Sequence, residues 1–245
     1  MKTNILIPLA GAGFRFIKAG YKQYKPFIKV IEDTMIIEVI RNLRSDDYRF
    51  IFVINTEQIS QEKFWSHIKG ETGQDCVILC VDKITEGPAC SALVAKEYID
   101  NDEPLIIVNC DQVIWDFNSK YLEDFANVTQ ADGFLGCFLS SSKKNSYIKV
   151  DPNGEVVEVR EKIVMSNLAT NGLHYWKNGS LFVQSAEEMI ARNDCYNGEF
   201  YIAPTYNYMI KNGKKVLPYF FNLHFPIGVP EDLEKYKMIV TTKNL

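Results

Sequence analysis

The apolar positions of this chain fall in short blocks separated by stretches with helical spacing. Residues 5–7 (Ile-Leu-Ile), 50–54 (Phe-Ile-Phe-Val-Ile), 76–81, 105–108 and 133–139 are near-continuous apolar runs, as expected of strands buried on both faces. Between them, Met35, Ile36, Val39, Ile40 and Leu43 recur at helical spacing behind Thr34, a capping residue type. Further helices are predicted over 58–68, from Pro88 onward, and over 118–126. Buried strands alternating with helices imply a mainly parallel sheet covered on both faces.

From Tyr147 the rhythm changes. Residues 147–150 and 156–161 flank the turn signal Asp151-Pro152-Asn153-Gly154 and predict a β-hairpin. A strand-like stretch follows at 171–176. Helices are predicted over 180–192 and over 202–211, the latter ending at Asn212-Gly213. Pro230, with Glu231 and Asp232 behind it, marks the last helix start. No repeat, low-complexity segment or linker divides the chain, so a single domain over 1–245 is expected.

Composition narrows the function classes. At 47% hydrophobic and 24% charged residues, the 245-residue chain has enough apolar material for a large core. A net charge of -4 with no extended basic face argues against nucleic acid as a partner. The basic residues that do cluster, Arg15, Lys18, Lys22, Lys25 and Lys29, are local, which suits a phosphate ligand better than a polymer. Six cysteines, at 76, 80, 90, 110, 137 and 195, form no Cys-x-x-Cys pair and are expected as buried thiols. No apolar stretch approaches the roughly 20 residues that span a bilayer, and no leader pattern is evident, so a cytoplasmic enzyme is expected.

The candidate chemistry starts after the first strand. Pro8-Leu9-Ala10-Gly11-Ala12-Gly13 is a small-residue loop whose backbone N–H groups can approach an anion closely. Arg15 and Lys25 follow, able to neutralise phosphate oxygens as a planar fork and a point charge respectively. The loop matches neither a Walker P-loop nor the dinucleotide fingerprint. Asp111 closes the most central strand, where open α/β sheets bind ligands, and could hold Mg²⁺ bridging triphosphate oxygens or cap a turn. Asp116 is expected as a surface or capping acid. His67, His174 and His224 show no metal-triad spacing.

These segments resemble the sugar-phosphate nucleotidyltransferases, also called nucleotide-sugar pyrophosphorylases. Their glycine loop corresponds to Leu9-Ala10-Gly11-Ala12-Gly13-Phe14-Arg15-Phe16, and their Pro-Lys-Pro motif to Tyr24-Lys25-Pro26. The resemblance covers nearly the whole chain. It implies a glycosyltransferase-A-like, Rossmann-like α/β fold: a mixed, mainly parallel sheet flanked by helices, with the β-hairpin inserted on the acceptor side. It places residues 1–140 mainly on the nucleotide and 141–245 mainly on the acceptor.

Residue by residue, the resemblance implies nucleotide contacts from Leu9, Ala10, Gly11, Ala12 and Gly13, and a nucleobase loop at Glu86, Gly87, Pro88 and Ala89. Arg15 and Lys25 would act on the triphosphate, Asp111 on Mg²⁺, and Lys162 of the Glu161-Lys162 pair on the acceptor phosphate. Asn171, Gly172 and Glu199 would bind the acceptor. Glu161-Lys162 also reads as a solvated pair on an edge strand, and Glu199 as a first-turn acid beside a helix dipole. Three positions depart from the family pattern: Phe14 replaces a hydroxyl residue, Tyr24 a proline, and Pro226 a second metal-binding Asp.

The expected reaction joins an NMP group from an NTP to a sugar 1-phosphate or similar small phosphomonoester and releases pyrophosphate, as in sugar-nucleotide and polysaccharide biosynthesis. The alternatives are a glycosyltransferase on the same fold and a non-catalytic nucleotide-binding regulator. Partners are an NTP and the acceptor, with no nucleic acid and no membrane; homo-oligomerisation is left open.

Overall fold

The computed structural model describes residues 2–43, 45 and 47–243. Its strands are β1 (Thr3–Pro8), β2 (Tyr48–Asn55), β3 (Val77–Val81), β4 (Leu105–Val108), β5 (Gln112–Ile114), β6 (Gly133–Leu139), β7 (Ser146–Val150), β8 (Val156–Glu161), β9 (Leu168–Trp176), β10 (Val216–Phe220) and β11 (His224–Pro226). The helices are α1 (Phe14–Lys18), α2 (Met35–Leu43), α3 (Gln61–Ile68), α4 (Pro88–Leu93), α5 (Lys96–Ile99), α6 (Ser119–Thr129), α7 (Gly179–Ala191), α8 (Tyr206–Lys211) and α9 (Pro230–Lys243). None of the described helices is long and apolar enough to cross a membrane.

The main sheet runs β10-β6-β9-β4-β1-β2-β3. Along this order the pairs are parallel except the two made by β9, which runs antiparallel between β6 and β4, and β7 and β8 join the same sheet through antiparallel pairs. The continuous apolar strands explain the layering. In β1, Ile5 and Ile7 enter one core and Leu6 the other; β2 and β4 divide in the same way. The first core packs under α2, α3 and α9, and the second under α4, α5, α7 and α8.

This arrangement positions the site. β1 and β4 are parallel neighbours, so the segments after Pro8 and Val108 emerge side by side at one sheet edge. Beyond β4 the chain forms a small second sheet, in which Pro226 of β11 faces Gln112 of β5. Asp111 is pinned there, its carbonyl accepting from Ile227 N at 2.9 Å. β9 is irregular opposite β6, with a register shift between Leu135 and Cys137. Gly172 sits in that stretch with φ 83°, where a Cβ would lie 2.5 Å from Asn109 Nδ2.

The hairpin β7–β8 forms and meets β9 at Tyr147, opposite Ala169. Asn207 of α8 ties it down, accepting from Val159 N and donating to Val159 O, both at 2.8 Å.

Several boundaries differ from the sequence expectation. The helix expected from residue 58 begins at Gln61, because Ser60 caps it by accepting from Lys63 N. The helix expected over 202–211 divides into a 3-10 turn, Ala203–Thr205, and α8. β5, β10 and β11 carry too few residues, or too mixed a pattern, to be read as strands before the fold is known. Cys80 and Cys195 are exposed rather than buried.

His174 on β9 is buried, its Nδ1 has no hydrogen-bond partner, and burial pulls its pKa down to about 3. An unfolded histidine titrates near 6.5, so below that pH the unfolded state binds a proton the folded state refuses. Stability should therefore fall as pH drops from about 6.5, before the carboxylates titrate. Urea unfolding between about pH 7.5 and 5.5 should show this slope, and His174→Gln should lessen it, His224 and His67 contributing the rest because burial lowers their pKa values too.

Candidate active site

The sheet edge opens into a cleft of about 920 Å³. At its floor, β1 passes into the glycine loop. Leu9 is fixed twice: its N–H donates to Val53 O at 2.7 Å, and its carbonyl accepts from Tyr24 Oη at 2.7 Å. Gly13 has a left-handed φ of 66° and opens α1. A Cβ there would stand 3.0 Å from the Lys25 side chain, so glycine leaves the path along which Lys25 reaches inward. Leu9, Gly11 and Gly13 line the cleft with Arg15 and Phe14, the latter 66% exposed at the lip. Ala10 points into the core, and Ala12 does not line the cleft.

Lys25 starts a 3-10 turn, Lys25–Phe27, locked from behind. The Phe27 ring lies 4.2 Å from that of His67, whose Nε2 is 2.7 Å from Thr34 Oγ1. Lys25 Nζ donates to Asp111 Oδ2 at 2.6 Å, deep in the cleft. Burial alone would lower the lysine pKa and raise that of the aspartate. The pair's mutual attraction outweighs both, holding Lys25 above and Asp111 below their usual values. Gln112 Nε2 donates to Asp111 Oδ1 at 3.2 Å, and Gln112 Oε1 faces His224 Nε2 at 2.5 Å. An amide oxygen only accepts, so the proton of His224 rides on Nε2. Burial draws the His224 pKa down to about 4, so the ring is neutral near neutral pH.

Gly228 lies against Asp111, where a Cβ would come within 2.4 Å of Oδ2. Pro226 borders the cleft and adds no oxygen donor from its side chain. Among the described residues no group of three His, Cys, Asp or Glu side chains is placed to hold a metal. Asp116 lies apart, its carboxylate accepting from the backbone of Asn222 and Leu223 as a turn-capping acid does.

The cleft is also lined by Ser146, Glu161 and Lys162 of the hairpin and by Glu199 and Tyr201. Glu161 ends β8 with its carboxylate only 7% exposed, taking a hydrogen bond from Ser146 Oγ. Burial raises its pKa against the pull of Ser146 and Lys162. Glu161-Lys162 is therefore no solvated edge pair. Glu199 follows a tight turn in which Asn197 and Gly198 have φ 52° and 77°, both left-handed. It precedes no helix directly, and its carboxylate accepts from Tyr201 Oη. Asn171 and Gly172 line the same wall; Asn171 is buried with Nδ2 free of any partner.

The segment expected as a nucleobase loop touches the cleft through Pro88 only. Ala89 is fully buried, and Gly87 and Glu86 do not line the cleft. Their role in the fold is plain: Phe200 N donates to Glu86 O at 2.8 Å, and Ala89 N to Phe200 O at 2.9 Å. Gly87, at φ 132°, fits because a Cβ would lie 2.5 Å from the Phe200 backbone.

Arg15, Lys25, Asp111, Lys162, Asn171, Gly172 and Glu199 thus share one cleft. Nothing in the sequence marks Tyr24 as an anchor, or Gln112, His224, Ser146 and Tyr201 as cleft residues. Tyr24 was visible as a departure from the family motif; the others have ordinary residue types and no spacing signal. Tyr24→Phe should cost about 1 kcal/mol in unfolding free energy, since it orphans the buried Leu9 carbonyl. The same variant should weaken nucleotide binding, measured by calorimetry, because the glycine loop loses its strut.

A sequence profile of the Nucleotidyl transferase family matches residues 5–242. No curated protein matches the chain in sequence. Among solved structures, the nucleoside-diphosphate-sugar pyrophosphorylase from Vibrio cholerae RC9 is 22% identical, with TM-score 0.81 over 96% of this chain and 99% of that one. UDP-glucose pyrophosphorylase complexed with UDP-glucose is 19% identical, with TM-score 0.78 over 99% of this chain and 100% of that one. A putative glucose-1-phosphate thymidylyltransferase from Bacillus anthracis is 16% identical, with TM-score 0.79 over 97% and 94% of the two chains. The shared fold is the mixed, mainly parallel α/β sheet described above. With the profile spanning nearly every residue, the chain belongs to the nucleotidyl transferase family of enzymes.

Proposed function

We propose that this enzyme transfers an NMP group from an NTP to a small phosphomonoester, a sugar 1-phosphate being the leading class, and releases pyrophosphate. One observation carries the reading: a single cleft is lined by cations from two parts of the chain, Arg15 and Lys25 at the glycine loop and Lys143, Lys144 and Lys162 beside the hairpin. Such a cleft accommodates two phosphorylated substrates end to end. The names of the similar structures, with UDP-glucose or UTP bound, support the same substrate classes.

In the proposed reaction an acceptor phosphate oxygen attacks the α-phosphorus in line. A new P–O bond forms, and the bond from the α-phosphorus to its bridging oxygen breaks, with the electron pair leaving on pyrophosphate. No general base is needed, because the nucleophile is already ionised at neutral pH. Catalysis is then positioning and charge neutralisation. Residues 1–140 hold the nucleotide: the Leu9–Gly13 backbone and Pro88 bound its site, and Arg15 and Lys25 meet the departing phosphates. Residues 141–245 serve the acceptor, with Lys162 on its phosphate and Asn171 Nδ2 and Glu199 on its polar groups.

Mg²⁺ fits this donor set in one way. Asp111 supplies a hard carboxylate whose two oxygens each retain a lone pair beyond the bonds from Lys25 and Gln112. Mg²⁺ commonly takes one or two carboxylates and completes its shell with water and phosphate oxygens. Asp111 would hold the ion, which supplies charge neutralisation at the triphosphate.

The deciding experiment is a pyrophosphate-release screen of the common NTPs against sugar phosphates and small phosphomonoesters. Release that requires an acceptor supports the reading. Sugar transfer from a finished sugar nucleotide would replace it with the glycosyltransferase reading, and nucleotide binding without turnover with a regulatory one.

Arg15→Ala and Lys25→Ala should each reduce the single-turnover rate on the order of 100-fold, the usual cost of one donor to developing charge. Wild-type rates in both would overturn the assignment. Calorimetric titration should show Mg²⁺ binding the NTP complex far more tightly than the free protein, and Asp111→Asn should weaken binding to the complex, leaving only what the triphosphate oxygens supply.

A further inference from the structure

Tyr201 has no part in the reaction as written, yet it is the closest neighbour of the Lys162 ammonium. Lys162 Nζ stands 2.5 Å from Tyr201 Oη and 4.4 Å from the centroid of its ring. The Tyr196 ring lies at 5.4 Å, and Glu161 Oε1 at 3.8 Å. The directions of the hydrogen bonds matter. Tyr201 gives its one proton to Glu199, so its oxygen faces Lys162 purely as an acceptor.

Tyr201 is also the better anchored of the two residues. Phe200, directly before it, is bonded through both N and O to the 86–89 segment, at 2.8 and 2.9 Å. The turn at 197–198 closes the other side, with Tyr196 N on Glu199 O at 3.0 Å and Glu199 N on Tyr196 O at 3.1 Å. Lys162 sits where β8 leaves the hairpin, with φ 55°, a state that few side-chain-bearing residues adopt. Its backbone is held by the Asn145 carbonyl at 3.1 Å, but its four-carbon stem is free to rotate unless the ammonium is fixed.

We propose that Tyr201 is a positioning residue: with Glu199 behind it, it fixes the Lys162 ammonium before the acceptor phosphate arrives. The proposal rests on the acceptor role of Lys162 given above. Holding the ammonium in advance removes the entropy cost of ordering it on binding. The aromatic face adds cation–π attraction, and the phenol oxygen sets direction.

The test separates the hydroxyl from the ring. Tyr201→Phe keeps the ring and should raise the acceptor KM about tenfold, the usual effect of losing one hydrogen bond to a charged group, with the NTP Kd unchanged. In a Lys162→Ala background the same substitution should change nothing further. An equal effect in both backgrounds, or no effect in either, overturns the proposal.

A second readout needs no turnover and so stands even if the proposed reaction fails. In ¹⁵N-lysine-labelled protein, the Lys162 ammonium, identified by its loss in Lys162→Ala, should give a slowly exchanging signal. Tyr201→Phe should erase it. Persistence of that signal in Tyr201→Phe would show that Tyr201 does not hold the ammonium.

Discussion

The Lys25–Asp111 contact, 2.6 Å long and largely out of water, is the constraint around which the site is arranged. It joins the turn after the glycine loop to the end of the most central strand. Two charges taken from water pay a desolvation penalty that their attraction offsets only with good geometry and further hydrogen bonds. Here Gln112 bonds the second aspartate oxygen, and glycines at 13 and 228 keep the space around the pair clear. Removing either partner would strand the other charge, so substitutions at this pair act on folding.

The same logic recurs at Lys162. Lys162, like Lys25, rests on groups of the protein itself, here Tyr201 and Glu161. Under the proposed function, each substrate phosphate takes over a lysine already held near its working position. The 86–89 segment and the 199–201 segment share the backbone bonds of Phe200. Gly87 is glycine because that junction leaves no room for a side chain.

Much of this was legible in the sequence, for identifiable reasons. The strands at 5–7, 50–54 and 105–108 are apolar on consecutive residues, which only two-sided burial explains, and the structure divides them between two cores. The Gly13-x-Arg15 and Lys25-Pro26 spacings carry their chemistry in residue type, so the family was recognisable from them. The short strands β5 and β11 were not legible. They exist because Pro226 and Gln112 come face to face after some 110 intervening residues, a contact no local pattern records. The nucleobase loop was read from resemblance, and only Pro88 of its residues borders the cleft.

The chain's sequence by itself determined the parallel core, the glycine loop with its cations, and the acid at the end of β4. Those features depend on local periodicity and on residue chemistry. The tertiary structure alone decided which groups satisfy one another: Lys25 with Asp111, Gln112 with His224, Tyr201 between Lys162 and Glu199. Such pairings depend on distances between residues far apart in sequence. Only the packing of the sheet and the hairpin fixes them.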